Sequence, residues 1–470
     1  MTAEAKSRAA YWAKRLECPV DEDANYRNTF WCNRDLIPIP EDRRTWTWQG
    51  FAGYWVISVK IILRAIIGPK FRDLPNTLPV SANVDTASLI SFFVFIVIFL
   101  PLPMIPPEKL QLPFMIVFVM ITATMFGMVG WAVNAAGGAG ILMSTPATGS
   151  GSALSWAAVF GLQSIVGSQA SGCLGQSDWT RYARTPNAAL FGQLICAPIF
   201  IVVTSVCGII ITSAAASIYD EYIWNPFELL LTVQDHSMSP AARAGTFFAG
   251  LGFLVDQLAL CQMLNGISTG MDMAALCPKW INIRRGCYIL TVIAIAICPW
   301  NYVTNPGTFI TVLSGWSVFL SPMTGIVVSD YFFVRRGQYH IGDMYMGNSR
   351  SAYWYSHGFN WRCFLAWILG MAPLLPGFAR AIQGVSSGSG WDHLYQISYF
   401  YGFFVSLTMH WLLHTAFPTA RQRGNSPFVL EAHAEMLNTA ESDEVTVDSA
   451  EGEEKGATSR LKRDLEAEGV

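Results

Sequence analysis

A chain of 470 residues that is 52% hydrophobic and only 13% charged cannot cover several soluble domains with a hydrated surface. Its formal net charge of −3, with no basic stripe, excludes a nucleic-acid binder. A disulfide scaffold is disfavoured, because most of the 10 Cys, such as Cys196, Cys207, Cys261 and Cys298, lie inside apolar runs and read as small hydrophobes.

In chain order, residues 1–45 carry 8 basic and 8 acidic residues and no apolar h-region, so they read as a cytoplasmic tail without a cleavable signal. Residues 51–67, FAGYWVISVKIILRAII, are near the minimum spanning length and carry Lys60 and Arg64, each costing about 2.5–3.5 kcal/mol at a helix centre. Whether this segment spans is left open. Nine continuous apolar runs then predict membrane-spanning helices near 87–106, 112–136, 154–174, 188–215, 245–270, 286–303, 307–333, 362–379 and 393–416. The transmembrane domain is therefore expected over 46–416. The runs are continuous rather than alternating, which excludes an outer-membrane barrel.

Alternate loops carry Lys109, Arg181, Arg184, Lys279, Arg284, Arg285, Arg335, Arg336 and Arg350, against Lys70, Arg72, Arg243 and Arg380 on the other side. The basic side is expected in the cytoplasm. Residues 417–470 hold 6 Lys/Arg against 12 Asp/Glu and few long apolar residues, which predicts a disordered acidic cytoplasmic tail.

Polar and helix-breaking residues inside the spans mark the chemistry. Gly167, Gly172 and Gly175 punctuate one run, with Ser168, Gln169 and Ser171 between them. Such a break frees backbone groups to hold a polar solute; the alternative is a close small-residue helix contact. The 245–270 run contains Asp256, Gln262 and Asn265. The two amides suit a ligand that both donates and accepts, and the carboxyl suits proton coupling; interhelical hydrogen bonding is the competing reading. Gly315, Pro322 and Gly325 fit either a gating helix or a static kink. His410 and His414, one turn apart, lack an evident third ligand, so packing is favoured over a metal site. No nucleotide loop, HExxH or GxSxG is present, so neither an enzyme nor a cofactor is expected.

Four segments together resemble the nucleobase–cation symport-1 transporters: NRDLIPIPEDRRTW (33–46), QSDWTRYARTPNAALFGQ (176–193), NGISTGMDMAALCPKWINIRRG (265–286) and LSGWSVFLSPMTGIVVSDYFFVRRGQY (313–339). The likeness is to the fungal Fur-type branch of uracil, uridine, allantoin and thiamine permeases. It implies an all-α, LeuT-like five-plus-five inverted repeat with two extra C-terminal helices. It also implies substrate contacts at Gly167, Ser168, Gln169 and Asn265, to which Gln262 is added from its position. Relatives carry Asn where this chain has Cys261, and Ala259 and Leu260 offer no hydroxyls for a sodium ion, so proton coupling is expected.

FAGYWVIS (51–58) resembles the start of the family's first helix and VKIILRAIIGPKF (59–71) the end of its third. The first repeat is therefore expected to be truncated at Ser58–Val59. The reading is a plasma-membrane proton symporter importing a small nucleobase-like heterocycle. The alternative is a non-transporting truncated or splice-variant membrane protein, retained in the endoplasmic reticulum.

Overall fold

The computed structural model describes residues 14–18, 33, 35–36, 59–82, 84–146, 151–185, 187–298, 306–349, 351–385 and 388–419. Residues 420–470 of the tail expected over 417–470, the 51–58 half of the fused segment and most of residues 1–45 lie outside the described residues. The regular structure among the described residues is helical, without a named strand; only an isolated bridge joins Ser356 to Phe359.

The principal helices are α1 (Val59–Ile67), α2 (Thr86–Phe99), α3 (Gln111–Ala136), α4 (Gly151–Ser168), α5 (Ala197–Tyr219), α6 (Pro226–His236) and α7 (Pro240–Leu260), followed by α8 (Ser268–Leu276), α9 (Ile283–Ala296), α10 (Pro306–Val328), α11 (Trp361–Met371), α12 (Leu375–Ile382) and α13 (Ser398–Ala416). Local chemistry sets their ends. The Asp85 carboxylate caps α2 by accepting from Ser88 N, and the Ser239 hydroxyl caps α7 ahead of Pro240. Gly137 closes α3 at φ 69°, the left-handed conformation glycine adopts without strain. Asn282 caps α9 through Arg285 N.

Six helical stretches among the described residues are long and apolar enough to cross a bilayer: Thr86–Met104, Gln111–Ala136, Ala188–Tyr219, Pro240–Leu276, Gly315–Val334 and Trp361–Ile382. The other three expected spans are helical but differ from the reading. The 154–174 run breaks at Gln169 into α4 and a short helix, Ala170–Leu174. Of the 286–303 run, the described part is helical through Ala296 and turns at Ile297–Cys298, while residues 299–303 lie outside the described residues. The 393–416 run divides at Ile397 into Gly390–Gln396 and α13. The 362–379 run is also interrupted, by a tight turn at Ala372–Leu374 where Pro373 cannot continue the helical ladder. The surface is inverted relative to a soluble protein: Val97, Leu112, Val119 and Val292 are all about two-thirds exposed. That suits lipid as the solvent.

Two packing centres organise the bundle. One joins α1, α3, α5, α6 and α7 through Ile61, Ile121, Met128, Ile211, Leu229 and Phe253. The other joins Leu110, Trp179, Tyr182, Met263, Ile267 and Cys287. A third, smaller cluster of Val318, Leu374 and Tyr395 belongs to α10 and its partners.

The doubtful segment carries its charges without exposing them to hydrocarbon. Lys60 Nζ lies 3.2 Å from the Asp85 carboxylate and 2.8 Å from Ser88 Oγ, and Arg64 pairs with Asp235 at 2.9 Å. Arg243 donates to the carbonyls of Ala65 and Ile66, so the end of α1 sits beside the first turn of α7. Leu36 is held on the opposite, basic side, where its carbonyl accepts from Arg181 and Tyr345. The described part of the N-terminal stretch docks on that same side: Asn33 donates to the Pro278 and Ile281 carbonyls, and Cys18 N to Lys279 O.

Candidate functional site

The break expected near Gly167 is present. Gln169 leaves the helix with φ −89° and ψ −1°, and its N–H turns back to Val166 O at 3.2 Å, a tighter bond than α-helix gives. Gly167 is buried because a side chain would not fit: a Cβ there would lie 2.9 Å from Ser317 Cβ on α10. Ser168 closes α4, and Gln169 is half-buried. Just before the break, the buried Gln163 accepts from Tyr399 N at 2.9 Å and Ser398 Oγ at 3.2 Å. Ser398 in turn meets Ser317 Oγ at 2.9 Å. This junction of α4, α10 and α13 was not read from the sequence, because its three members lie far apart along the chain.

Residues Cys261–Ile267 join α7 to α8 as a π turn, one residue wider than the α ladder. Asn265 stands exposed on it. Gln262 is buried and donates to the Leu102 carbonyl at 3.2 Å, while its Oε1 has no partner among the described residues. Gln262 thus ties the π turn to the short turn that follows α2, and Asn265 presents an amide outward. Asp256, further up α7, is wholly buried, and neither carboxylate oxygen has a hydrogen-bond partner among the described residues.

Along α10, the glycines and proline are points of close approach. A Cβ on Gly315 would strike the Phe378 ring at 2.2 Å, and one on Gly325 the Phe403 carbonyl at 2.3 Å. Pro322 lies against Gly370 of α11 and Gly402 of α13. Gly167 and α10 are therefore brought together, while the π turn that carries Gln262 and Asn265 contributes Met263 and Ile267 to the second packing centre with α9.

Beneath the π turn, Trp179 and Tyr182 of the QSDWTRY segment pack on Met263 and Ile267. Asp178 in the same segment has its carboxyl pushed up to about 6, by burial first and by the neighbouring Asp272 second, with Arg181 opposing. A raised folded value means that stability falls as pH rises from the group's ordinary 3.8 to about 6, and that the loss is complete above it. Asp178→Asn is expected to flatten that decline and leave the variant more stable than the parent at neutral pH. Thermal unfolding in detergent across this range tests it; an unchanged pH profile would remove Asp178 from the account.

Over residues 46–402 the chain matches the family described as permease for cytosine/purines, uracil, thiamine and allantoin. The chain belongs to this family. Its members are transporters, not enzymes, and the chain is an integral multi-pass membrane protein of the nucleobase–cation symport-1 group. It is 34% identical over 417 residues to the uracil permease of Saccharomyces cerevisiae, covering 86% of this chain and 65% of that one. It is 33% identical over 402 residues to the transporter aclS of Aspergillus oryzae, covering 77% and 64%. The chain thus spans just under two thirds of the length of these relatives. Among solved structures it resembles Mhp1, a nucleobase–cation symport-1 transporter, closed with bromovinylhydantoin bound. That likeness has a TM-score of 0.50 at 17% identity over 83% of this chain and 76% of that one, and it establishes the fold.

Proposed function

We propose that the complete form of this permease is a proton symporter that imports a flat, polar heterocycle of the uracil, uridine, allantoin or thiamine class across the plasma membrane. The reading takes the fold as a LeuT-like five-plus-five repeat with two further C-terminal helices and nine spans besides the fused one. The observation that carries it is Asn265, an exposed amide on a π turn within the 37-residue apolar stretch Pro240–Leu276. An amide facing hydrocarbon is costly, so its place is beside a polar space, where it offers both a donor and an acceptor to a ring amide. The break at Gln169, just after Gly167 and Ser168, supports the same reading, with Gly315, Pro322 and Gly325 on the facing helix as the moving part. Asp256 is the proton carrier in this account.

The experiment is radiolabelled uptake of uracil, uridine, allantoin and thiamine in cells lacking their own permeases, using a form whose first three helices are supplied from a relative. Asn265→Ala should cost about 1–3 kcal/mol of binding, roughly ten- to a hundred-fold in apparent affinity. Equal affinity at equal surface abundance would remove Asn265 from the site.

A second reading rests on the junction at Ser58–Val59. For the 470 residues themselves it is a membrane protein that inserts without transporting, held in the endoplasmic reticulum.

A further inference from the structure

We propose that Cys363, His410 and His414 form a zinc site that clips α11 to α13 at the basic end of the bundle. The two histidines lie one turn apart on α13, with ring centroids 4.5 Å apart. The sequence offers them no third ligand. The structure supplies one from 47 residues away: Cys363, in the first turn of α11, places its Sγ 3.4 Å from His410 Nε2. The donor atoms of all three residues lie within 4.8 Å of one another.

This spacing suits a tetrahedral ion. With Zn–S near 2.3 Å and Zn–N near 2.0–2.1 Å, the sulfur-to-nitrogen edge of the tetrahedron is about 3.5 Å. A thiolate with two imidazoles is a donor set for zinc rather than for magnesium or calcium.

The surroundings fit as well. His410 is wholly buried and His414 is 5% exposed. Neither ring nitrogen of His414 has a hydrogen-bond partner among the described residues. Two unsatisfied nitrogens on a buried ring are an unusual expense in a folded protein, and a metal bond removes it. His410 is oriented by the contact of its Nδ1 with Ser329 Oγ at 3.1 Å, which leaves Nε2 turned towards the thiol. Asn360 Nδ2 donates to Cys363 Sγ at 3.0 Å. Outer partners of this kind fix the rotamer and tautomer of metal ligands.

A cavity of about 530 Å³ lined by Arg335, His340, His414 and Thr415 reaches the site and gives a fourth ligand, water, a way in. Asp330, Arg335 and Arg362 are the charged groups near the cluster, and the first two neutralise each other in a 2.8 Å ion pair. Ser329 opens the π turn that ends α10, so an ion here would brace the helix that carries Gly315, Pro322 and Gly325.

The test uses the full chain, purified in detergent, stripped with a chelator and titrated with Zn2+ and separately with Co2+. The expected result is a single ion per chain and a cobalt spectrum with an intense thiolate-to-metal band and tetrahedral d–d bands. Cys363→Ser should abolish the thiolate band, and His414→Ala should weaken Zn2+ binding by roughly 100-fold or more, since even outer-shell changes reach that range. Because His414 makes no hydrogen bond among the described residues, the second variant keeps the test decisive if the first folds poorly. No stoichiometric cobalt band, or Zn2+ affinity unchanged in both variants, would overturn the site and leave a thiol–imidazole packing contact.

Discussion

Replacing Asp256 by asparagine in a form with complete first-to-third helices is expected to flatten the pH dependence of uptake without unfolding the protein. The carboxyl is fully buried on α7, and both its oxygens lack partners among the described residues. One turn earlier, Gly252 lies against Thr124 of α3, and Gly250 lies against Ile61 and Ile62 of α1. The cations on the adjoining α1 are already engaged, Lys60 with Asp85 and Arg64 with Asp235, and His236 of α6 contacts the Thr232 carbonyl. No stabilising pair is therefore lost on substitution. An unpaired polar group in such a place costs about 1–3 kcal/mol, so Asp256→Val should raise thermal stability by about that amount while abolishing coupled uptake. A group that works against folding and in favour of transport would give this split. A pH profile retained in Asp256→Asn, with Asp256→Val destabilised, would assign the residue to packing.

The parts of this fold that were legible in the sequence are those with one physical solution. An apolar run of 20 or more residues has no stable alternative to a helix in lipid, so α3, α10 and the apolar stretches Ala188–Tyr219 and Pro240–Leu276 that hold α5 and α7 were readable to within a turn or two. The break at Gln169 was readable because three glycines and several small polar residues interrupt such a run. What escaped depends on pairing at a distance. The loop helix α6 is only weakly amphipathic, and its role becomes visible only when Gln234 donates to the Ile61 carbonyl and Thr246 Oγ1, both at 3.0 Å. Lys60 and Arg64 looked prohibitive until Asp85 and Asp235 were placed beside them. The π turn at Cys261–Ile267 left no mark on the apolar pattern, since one extra residue per turn does not change composition. In the candidate site, residue types were readable but neighbours were not. Asn265 was expected beside Gln262 as a joint contact, yet Gln262 is turned inward to Leu102 and Asn265 outward.

The largest effect is expected at the junction of Ser58 and Val59. Expressed as given, the 470 residues should insert but show only background uptake, whereas a form with a contiguous first-to-third helix segment should show saturable, proton-dependent uptake. The argument is one of uncovered polar surface. A broken-helix transporter binds its solute between two inverted repeats, each supplying backbone and side chains to the site. On the proposed five-plus-five reading, the second repeat is whole in sequence, while the first retains its last two helices and a fused remnant. On the remaining side, Ser171 and Asn265 are exposed and Gln169 is half-exposed, on helices that are otherwise apolar. Polar groups left facing hydrocarbon cost several kcal/mol each, so these must recruit water, headgroups or another chain. The described part of α1 does not compensate, because its polar side chains are committed to Asp85, Ser88 and Asp235. Restoring the missing helices should therefore bury Asn265, raise the unfolding temperature in detergent and recover uptake together. Proton-dependent, saturable uptake by the unaltered chain would show that the retained helices already enclose the site, and the truncation reading would then have to be abandoned.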